Sequence, residues 1–141
     1  MRIMAVDYGD ARTGLAVCDK FEMLASPLCV INQANQKLLI REIVEISKKE
    51  CVELIVVGYP KNMDSSIGSR AEKCNKLADL LELAAGIKVE LWDERLTTVS
   101  AHQAMNDNNI RGEKRKKIID AVAATIILQD YMAFRKKSAN K

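Results

Sequence analysis

Carboxylates stand at three places where the neighbouring residues are apolar. Asp7 ends the run IMAV, Asp93 and Glu94 end the run VELW, and Asp120 interrupts the last apolar stretch. An ionised carboxylate beside a core is unfavourable unless it is paired or bound to a metal. Each acid also has a structural interpretation: a turn at Asp7, ion pairs for Asp93 or Glu94, and a helix N-cap at Asp120. Considered together, the three positions favour one shared acidic site.

The donor atoms of such a site indicate its chemistry. Carboxylate oxygens suit Mg²⁺ or Mn²⁺, whereas zinc prefers thiolates and imidazoles. The four cysteines are widely separated and form no CxxC motif, and the single histidine, His102, lies in a polar stretch. Two divalent ions about 4 Å apart activate water and stabilise the leaving oxygen during attack on phosphorus. The acids therefore predict metal-dependent hydrolysis of a phosphodiester.

The elements that must position these acids follow from the spacing of apolar residues. Alternating or continuous apolar runs predict strands at 2–8, 13–18, 27–31, 53–60 and 88–94. Helical spacing predicts helices at 35–49, from the end of the loop 61–69 to Ala85, at 99–106 and at 118–134. A polar loop is expected between the last two helices. This order predicts a single α/β domain over residues 1–141, with a mixed sheet flanked by helices.

Composition limits the classes of protein that are possible. With 48% hydrophobic and 29% charged residues, the chain has the balance of a soluble globular protein. No apolar run reaches the roughly 18 residues of a membrane span, and no signal-peptide pattern opens the sequence. We therefore expect a cytoplasmic protein without a membrane partner. The net charge is only +3, but five of the seven residues at 111–117 are basic, as are all three at 135–137. These clusters are either phosphate contacts or solvated faces.

Four separated motifs resemble those of one known family, the YqgF/RuvX proteins, which are pre-16S rRNA nucleases and Holliday-junction-resolvase-like. These motifs are VDYGDARTGLAV at 6–17, VVGYPKNMDSS at 56–66, WDERLTT at 92–98 and DAVAATIILQDYM at 120–132. The resemblance implies an RNase H-like fold, a nuclease that uses Mg²⁺ or Mn²⁺, and a role in maturing the 5′ end of pre-16S ribosomal RNA. It also implies that Asp7, Glu94 and Asp120 are the catalytic and metal-binding residues. Spacing alone leaves Asp93 open as an alternative to Glu94.

Basic residues near these acids are candidates for holding the substrate. A guanidinium grips phosphate with two hydrogen bonds, which favours Arg12 and Arg95 beside the predicted ligands. The predicted loop before the last helix supplies a further basic set, Lys114, Arg115, Lys116 and Lys117. The expected partners are nucleic acids, either structured precursor rRNA or branched DNA, and ribosomal precursor particles. Symmetric cutting of a junction would need a homodimer, whereas other substrates allow a monomer.

Three alternative functions follow from the same residues. A Holliday-junction-resolvase-like DNA nuclease would use the same acids. A nucleic-acid-binding regulator would keep the scaffold with little catalysis. An actin-like or sugar-kinase-like ATPase shares the D-x-G hairpin, but it needs a second lobe for which 141 residues leave no room.

Overall fold

The sequence patterns become a five-stranded sheet and three helices in the segments that the structure describes. The computed structural model describes residues 1–9, 11–59, 69–93 and 113–139. In chain order the elements are β1 (Ile3–Asp7), β2 (Arg12–Cys18), β3 (Ala25–Asn32), α1 (Gln36–Lys49), β4 (Leu54–Tyr59), α2 (Ser69–Ala85), β5 (Lys88–Asp93) and α3 (Glu113–Ala139). The predicted mixed α/β architecture is confirmed.

The strands lie in the order β3-β2-β1-β4-β5. β1, β2 and β3 form an antiparallel meander, while β4 and β5 run parallel to β1 and to each other. β1 and β4 are central, and their continuous apolar runs are buried on both sides, as is typical of strands covered on two faces. The carboxyl ends of β1, β4 and β5 therefore meet at one edge, which we call the carboxyl edge.

Alternation of side chains divides the apolar residues of the sheet between two clusters. Met4 and Val6 of β1 pack in one cluster with residues of α1 and α2, such as Ile43 and Leu77. We call this side the α1/α2 face. The other cluster lies on the α3 face and combines all five strands with the last helix: Ile3, Ala5, Ala16, Cys18, Ala25, Leu54, Val56, Trp92, Ala124, Ile127, Leu128, Tyr131 and Met132. Because successive strand residues point to opposite sides, each strand position can be assigned to a face.

Single residues explain where α1 begins and where α2 ends. Asn35 caps α1, because its side chain accepts a hydrogen bond of 3.1 Å from the backbone N–H of Leu38. α2 ends before Gly86, whose φ of 71° is a left-handed conformation that glycine adopts without strain. Both ends agree with the sequence predictions.

The last helix is longer than predicted, and this corrects two expectations. Lys114, Arg115, Lys116 and Lys117 were expected in a loop, but their backbone belongs to α3. Glu, Lys and Arg are strong helix formers and nothing in EKRKK breaks a helix, so the helix begins five residues earlier. Asp120 consequently lies inside α3 and is not its N-cap. The helix also extends past 134, since Arg135–Ala139 favours helix and places basic residues in the last turn.

Other predicted features lie outside the described residues. These are the short helix at 99–106, Glu94, Arg95 and all of the loop 61–69 except its last residue. Among the helices that the described segments form, none has both the length and the hydropathy required to cross a bilayer.

Candidate functional site

Asp7 lies at the carboxyl edge, as the last residue of β1. Because side chains alternate along β1, Asp7 points to the same face as Ile3 and Ala5, which is the α3 face. Its partner across the antiparallel ladder is Gly14. Gly14 is buried and carries no side chain, so no side chain of β2 stands directly opposite the half-buried Asp7.

Arg12 lies on the same face as Asp7. It begins β2 and pairs with Asn32 of β3. Because side chains alternate along β2, Arg12 points to the same face as Ala16 and Cys18, which is the α3 face. Because Asp7 pairs with Gly14, Arg12 is a diagonal neighbour of Asp7, a relation in which the residues lie about 7–8 Å apart. A long guanidinium side chain spans such a distance. The structure therefore brings these two predicted residues together.

Gly9 shapes the connection between these two residues. A Cβ atom built on Gly9 would overlap the backbone carbonyl oxygen of Arg12. The turn consequently requires glycine, because any side chain would force its two sides apart. The turn-rich letters GDAR indicate a hairpin, but this close approach becomes visible only in the folded backbone.

The structure separates Asp93 from Asp7. Asp93 ends β5 opposite Tyr59, and β4 stands between β5 and β1, so the strands of the two acids are about 10 Å apart. Asp93 follows Trp92, which is 8% exposed and packs on the α3 face. Alternation therefore assigns Asp93 to the α1/α2 face, opposite to Asp7.

The first described side chains of α3 lie near the carboxyl end of β3. Ala121 and Val122 line an open cleft of about 370 Å³ together with Val30 and Asn32. Asn32 is the last residue of β3 and the ladder partner of Arg12, so this part of α3 approaches the edge that carries Asp7. Asp120 immediately precedes this segment in the backbone of α3, four residues before the fully buried Ala124. The structure does not describe the side chains of residues 113–120.

The described side chains do not by themselves complete a metal site. Within that part of the chain, no three Asp, Glu, His or Cys side chains converge. Of the predicted ligands, Asp7 is described fully, Asp120 by its backbone alone, and Glu94 lies outside the described residues. The set of three acids accordingly stays a prediction, as do the roles of Arg95 and of the basic residues 114–117.

Sequence reasoning missed one polar contact between α3 and β5. The Tyr131 hydroxyl donates a hydrogen bond to Glu90 Oε2. Two signals were present, since Glu90 stands two residues before Trp92 in a predicted strand and Tyr131 is the second-last residue of the motif DAVAATIILQDYM. The pairing of the two residues depends on how α3 crosses the sheet, which the sequence pattern does not specify.

Comparison with known proteins adds two kinds of likeness. The family model RuvX, described as Holliday junction resolvase, matches residues 1–133. A protein of Clostridium botulinum (strain Eklund 17B / Type B) named "Putative pre-16S rRNA nuclease" is 45% identical over 132 residues, covering 94% of this chain and 96% of the relative. A protein of the same name from Halothermothrix orenii is 44% identical over 137 residues, covering 97% and 98%.

Solved structures show the same fold at low sequence identity. Thermus thermophilus RuvC in complex with a Holliday junction substrate superposes with a TM-score of 0.63 at 13% identity, over 96% of each chain. The fowlpox virus Holliday junction resolvase gives 0.51 at 16% identity, over 94% of this chain and 99% of that one. The predicted RNase H-like fold is confirmed. With a model match along nearly its whole length and relatives above 40% identity, the chain belongs to the RuvX family.

Proposed function

We propose that the protein is a divalent-metal-dependent nuclease that processes the 5′ end of pre-16S ribosomal RNA in the cytoplasm. The observation that carries this proposal is the position of Asp7, at the carboxyl edge and on the face covered by α3, the helix that carries Asp120. The names of the relatives support the substrate. Ribosomal precursor particles are the expected partners.

We assign the metal ligands to Asp7, Glu94 and Asp120. All three supply hard oxygen atoms, as Mg²⁺ and Mn²⁺ require. Because side chains alternate along β5, Asp93 belongs to the face opposite Asp7. Glu94 follows Glu90 and Trp92 at intervals of two residues in the sequence, which is the spacing of residues that share a face of a strand. The absence of a side chain at Gly14 is compatible with a bound ion beside Asp7. Bound divalent cations would lower the pKa of a bound water molecule. They would also stabilise the negative charge that develops during hydrolysis of a phosphodiester.

Residues of the chain itself would hold the substrate. Arg12 lies diagonally from Asp7 on the same face and would bind the phosphate next to the cleaved bond. Arg95 and the basic residues of the first turns of α3, Lys114, Arg115, Lys116 and Lys117, would contact phosphates farther along the strand. Binding through phosphates should weaken steeply with added salt.

The experiment compares variants in which one carboxylate at a time is replaced by the amide of the same size. Asp7→Asn and Glu94→Gln should reduce cleavage of structured pre-16S RNA more than about 100-fold, beyond the usual effect of residues outside the ligand set. Asp93→Asn is the matched control and should retain wild-type cleavage. Calorimetric titration with Mn²⁺ provides a readout independent of turnover, and only the first two variants should lose binding. Undiminished cleavage by Asp7→Asn would contradict the proposed metal site.

A second function is favoured by the description of the family and by the fold. The RuvX model is described as Holliday junction resolvase, which makes a four-way DNA junction the alternative substrate. Measuring cleavage of both substrates, together with the mass in solution, separates the two functions. A junction resolvase should be a homodimer that cuts two strands symmetrically, whereas an RNA-processing enzyme can act as a monomer. Binding of either substrate without cleavage would identify a nucleic-acid-binding regulator.

A further inference from the structure

The bond between Tyr131 and Glu90 joins α3 to β5 below the carboxyl edge. Tyr131 is 4% exposed and its hydroxyl donates to Glu90 Oε2. The other carboxylate oxygen of Glu90 lies 3.0 Å from Lys88 Nζ. The hydrogen bond from Tyr131 is the main cause that lowers the pKa of Glu90. The acceptor is therefore an ionised carboxylate, which makes the bond stronger than one between neutral groups.

An aromatic contact reinforces this bond. Trp92 lies two residues after Glu90 on the same face of β5, and its ring centroid is 5.7 Å from that of Tyr131, in an edge-to-face arrangement of 89°. Trp92 also contacts Phe134, with ring centroids 5.5 Å apart. Such pairs stabilise a structure beyond the effect of the area they bury. Glu90 and Trp92 thus attach two successive turns of α3 to β5.

The position of α3 on the sheet explains why this attachment matters. The backbone of α3 packs chiefly against β1, β2 and β3. β5 is the outermost strand on the side of the sheet away from β3, and β4 separates it from β1. Long side chains such as Tyr131 bridge this gap. The attachment therefore connects the helix that carries Asp120 with the strand that leads to Glu94.

A second link runs from α3 to the beginning of β1. Arg135, one turn after Tyr131, donates from Nε to Glu22 Oε1 at 2.8 Å. The amino group of Met1 lies 3.6 Å from Glu22 Oε2, and the chain then enters β1, which ends at Asp7. One turn of α3 is therefore tied both to β5, which ends one residue before Glu94 in the sequence, and to the start of β1, which ends at Asp7.

We propose that Tyr131 is a positioning residue, which through Glu90 fixes α3, the helix whose backbone includes Asp120, against β5, the strand that ends one residue before Glu94 in the sequence. This inference rests on the proposed function. Tyr131 lies eleven residues from Asp120 along α3, about 16 Å, so it acts through the helix and does not contact the substrate.

The test removes the hydroxyl and leaves the ring. Tyr131→Phe should weaken Mn²⁺ binding, measured by calorimetry, by up to roughly tenfold, the lower end of the range for groups that contact a metal ligand directly, because Tyr131 acts through the helix. It should lower kcat to a similar extent and leave KM for the RNA within about twofold, because the phosphate contacts are untouched. Raising the Mn²⁺ concentration should restore part of the lost rate. A merely structural role would lower Tm without changing the dependence on Mn²⁺.

Three further variants serve as controls. Glu90→Gln keeps an oxygen that accepts the hydrogen bond and should retain most Mn²⁺ affinity, whereas Glu90→Ala should reproduce the effect of Tyr131→Phe. Thr125→Val is the matched control on the same helix, because the Thr125 hydroxyl donates to the carbonyl oxygen of Ala121 within α3, at 2.8 Å. It should leave Mn²⁺ binding unchanged. If Tyr131→Phe does not fold, Glu90→Ala tests the same bond with the aromatic packing intact.

The outcomes separate this inference from the proposed function. Folded Tyr131→Phe or Glu90→Ala protein that binds Mn²⁺ like the wild type overturns the positioning role alone. Wild-type protein that neither binds Mn²⁺ nor cleaves nucleic acid overturns the proposed function and the positioning role with it.

Discussion

Replacing Gly9 by alanine should impair activity far more than an ordinary loop substitution. The added Cβ atom would overlap the carbonyl oxygen of Arg12, so the two sides of the β1–β2 turn must separate. Non-bonded carbon and oxygen atoms approach to about 3.3–3.6 Å, which requires a displacement on the order of 1 Å. Asp7 lies two residues before Gly9, and the proposed phosphate-binding Arg12 carries the displaced carbonyl group.

The size of both effects follows from this displacement. A misplacement of about 1 Å in an active site reduces turnover by roughly 100-fold. Forcing extra atoms into packed structure destabilises the fold by about 1–3 kcal/mol. We therefore expect Gly9→Ala to remain folded at room temperature, with a lower urea midpoint and a rate of RNA cleavage reduced by about two orders of magnitude.

Gly86→Ala provides the matched control for this prediction. Gly86 has a φ of 71°, where alanine is strained by about 1–2 kcal/mol, but an added Cβ atom would meet nothing within 4 Å. It precedes β5, at the end of that strand away from Asp7. Both variants should lose stability in urea, and only Gly9→Ala should lose cleavage of pre-16S RNA. Equal activity of the two folded variants would refute the assignment of the β1–β2 turn to the active site.

Two further predictions concern the packing and the titration of α3. Leu128→Ala, at a fully buried position, should lower the free energy of unfolding by about 2–5 kcal/mol, while Leu83→Ala, at a position 83% exposed, should change it by less than about 0.5 kcal/mol in urea denaturation. Burial, followed by the bond to Glu90, raises the pKa of Tyr131 to about 12, so the difference in tyrosinate absorbance between wild type and Tyr131→Phe should titrate near that pH. Because the raised pKa favours the protonated phenol in the folded state, this stability is complete below pH 10 and declines as the pH rises to about 12. A difference spectrum that titrates near pH 10 would contradict the burial of this hydroxyl.

The sequence by itself determined most of the elements and their order. Period-two and helical spacing depend only on local geometry, which is why the strands around Asp7 and Asp93 and the helix after Asn35 were located correctly. The predicted start of α3 was wrong because residues 113–117 are all polar and show no helical spacing of apolar side chains, although each of them favours a helix.

Tertiary structure decided that Asp7 and Asp93 belong to opposite faces of the sheet. Alternation in VELWDE predicts that Asp93 and Glu94 point to opposite sides, but nothing within a strand says which side faces Asp7. That choice follows from the packing of Trp92 and Glu90 against α3, a helix that follows β5 by some twenty residues of the sequence. The contact between Glu90 and Tyr131 likewise depends on how the helix crosses the sheet. Such contacts join residues distant in sequence, so they are set by packing of the whole domain and not by local pattern.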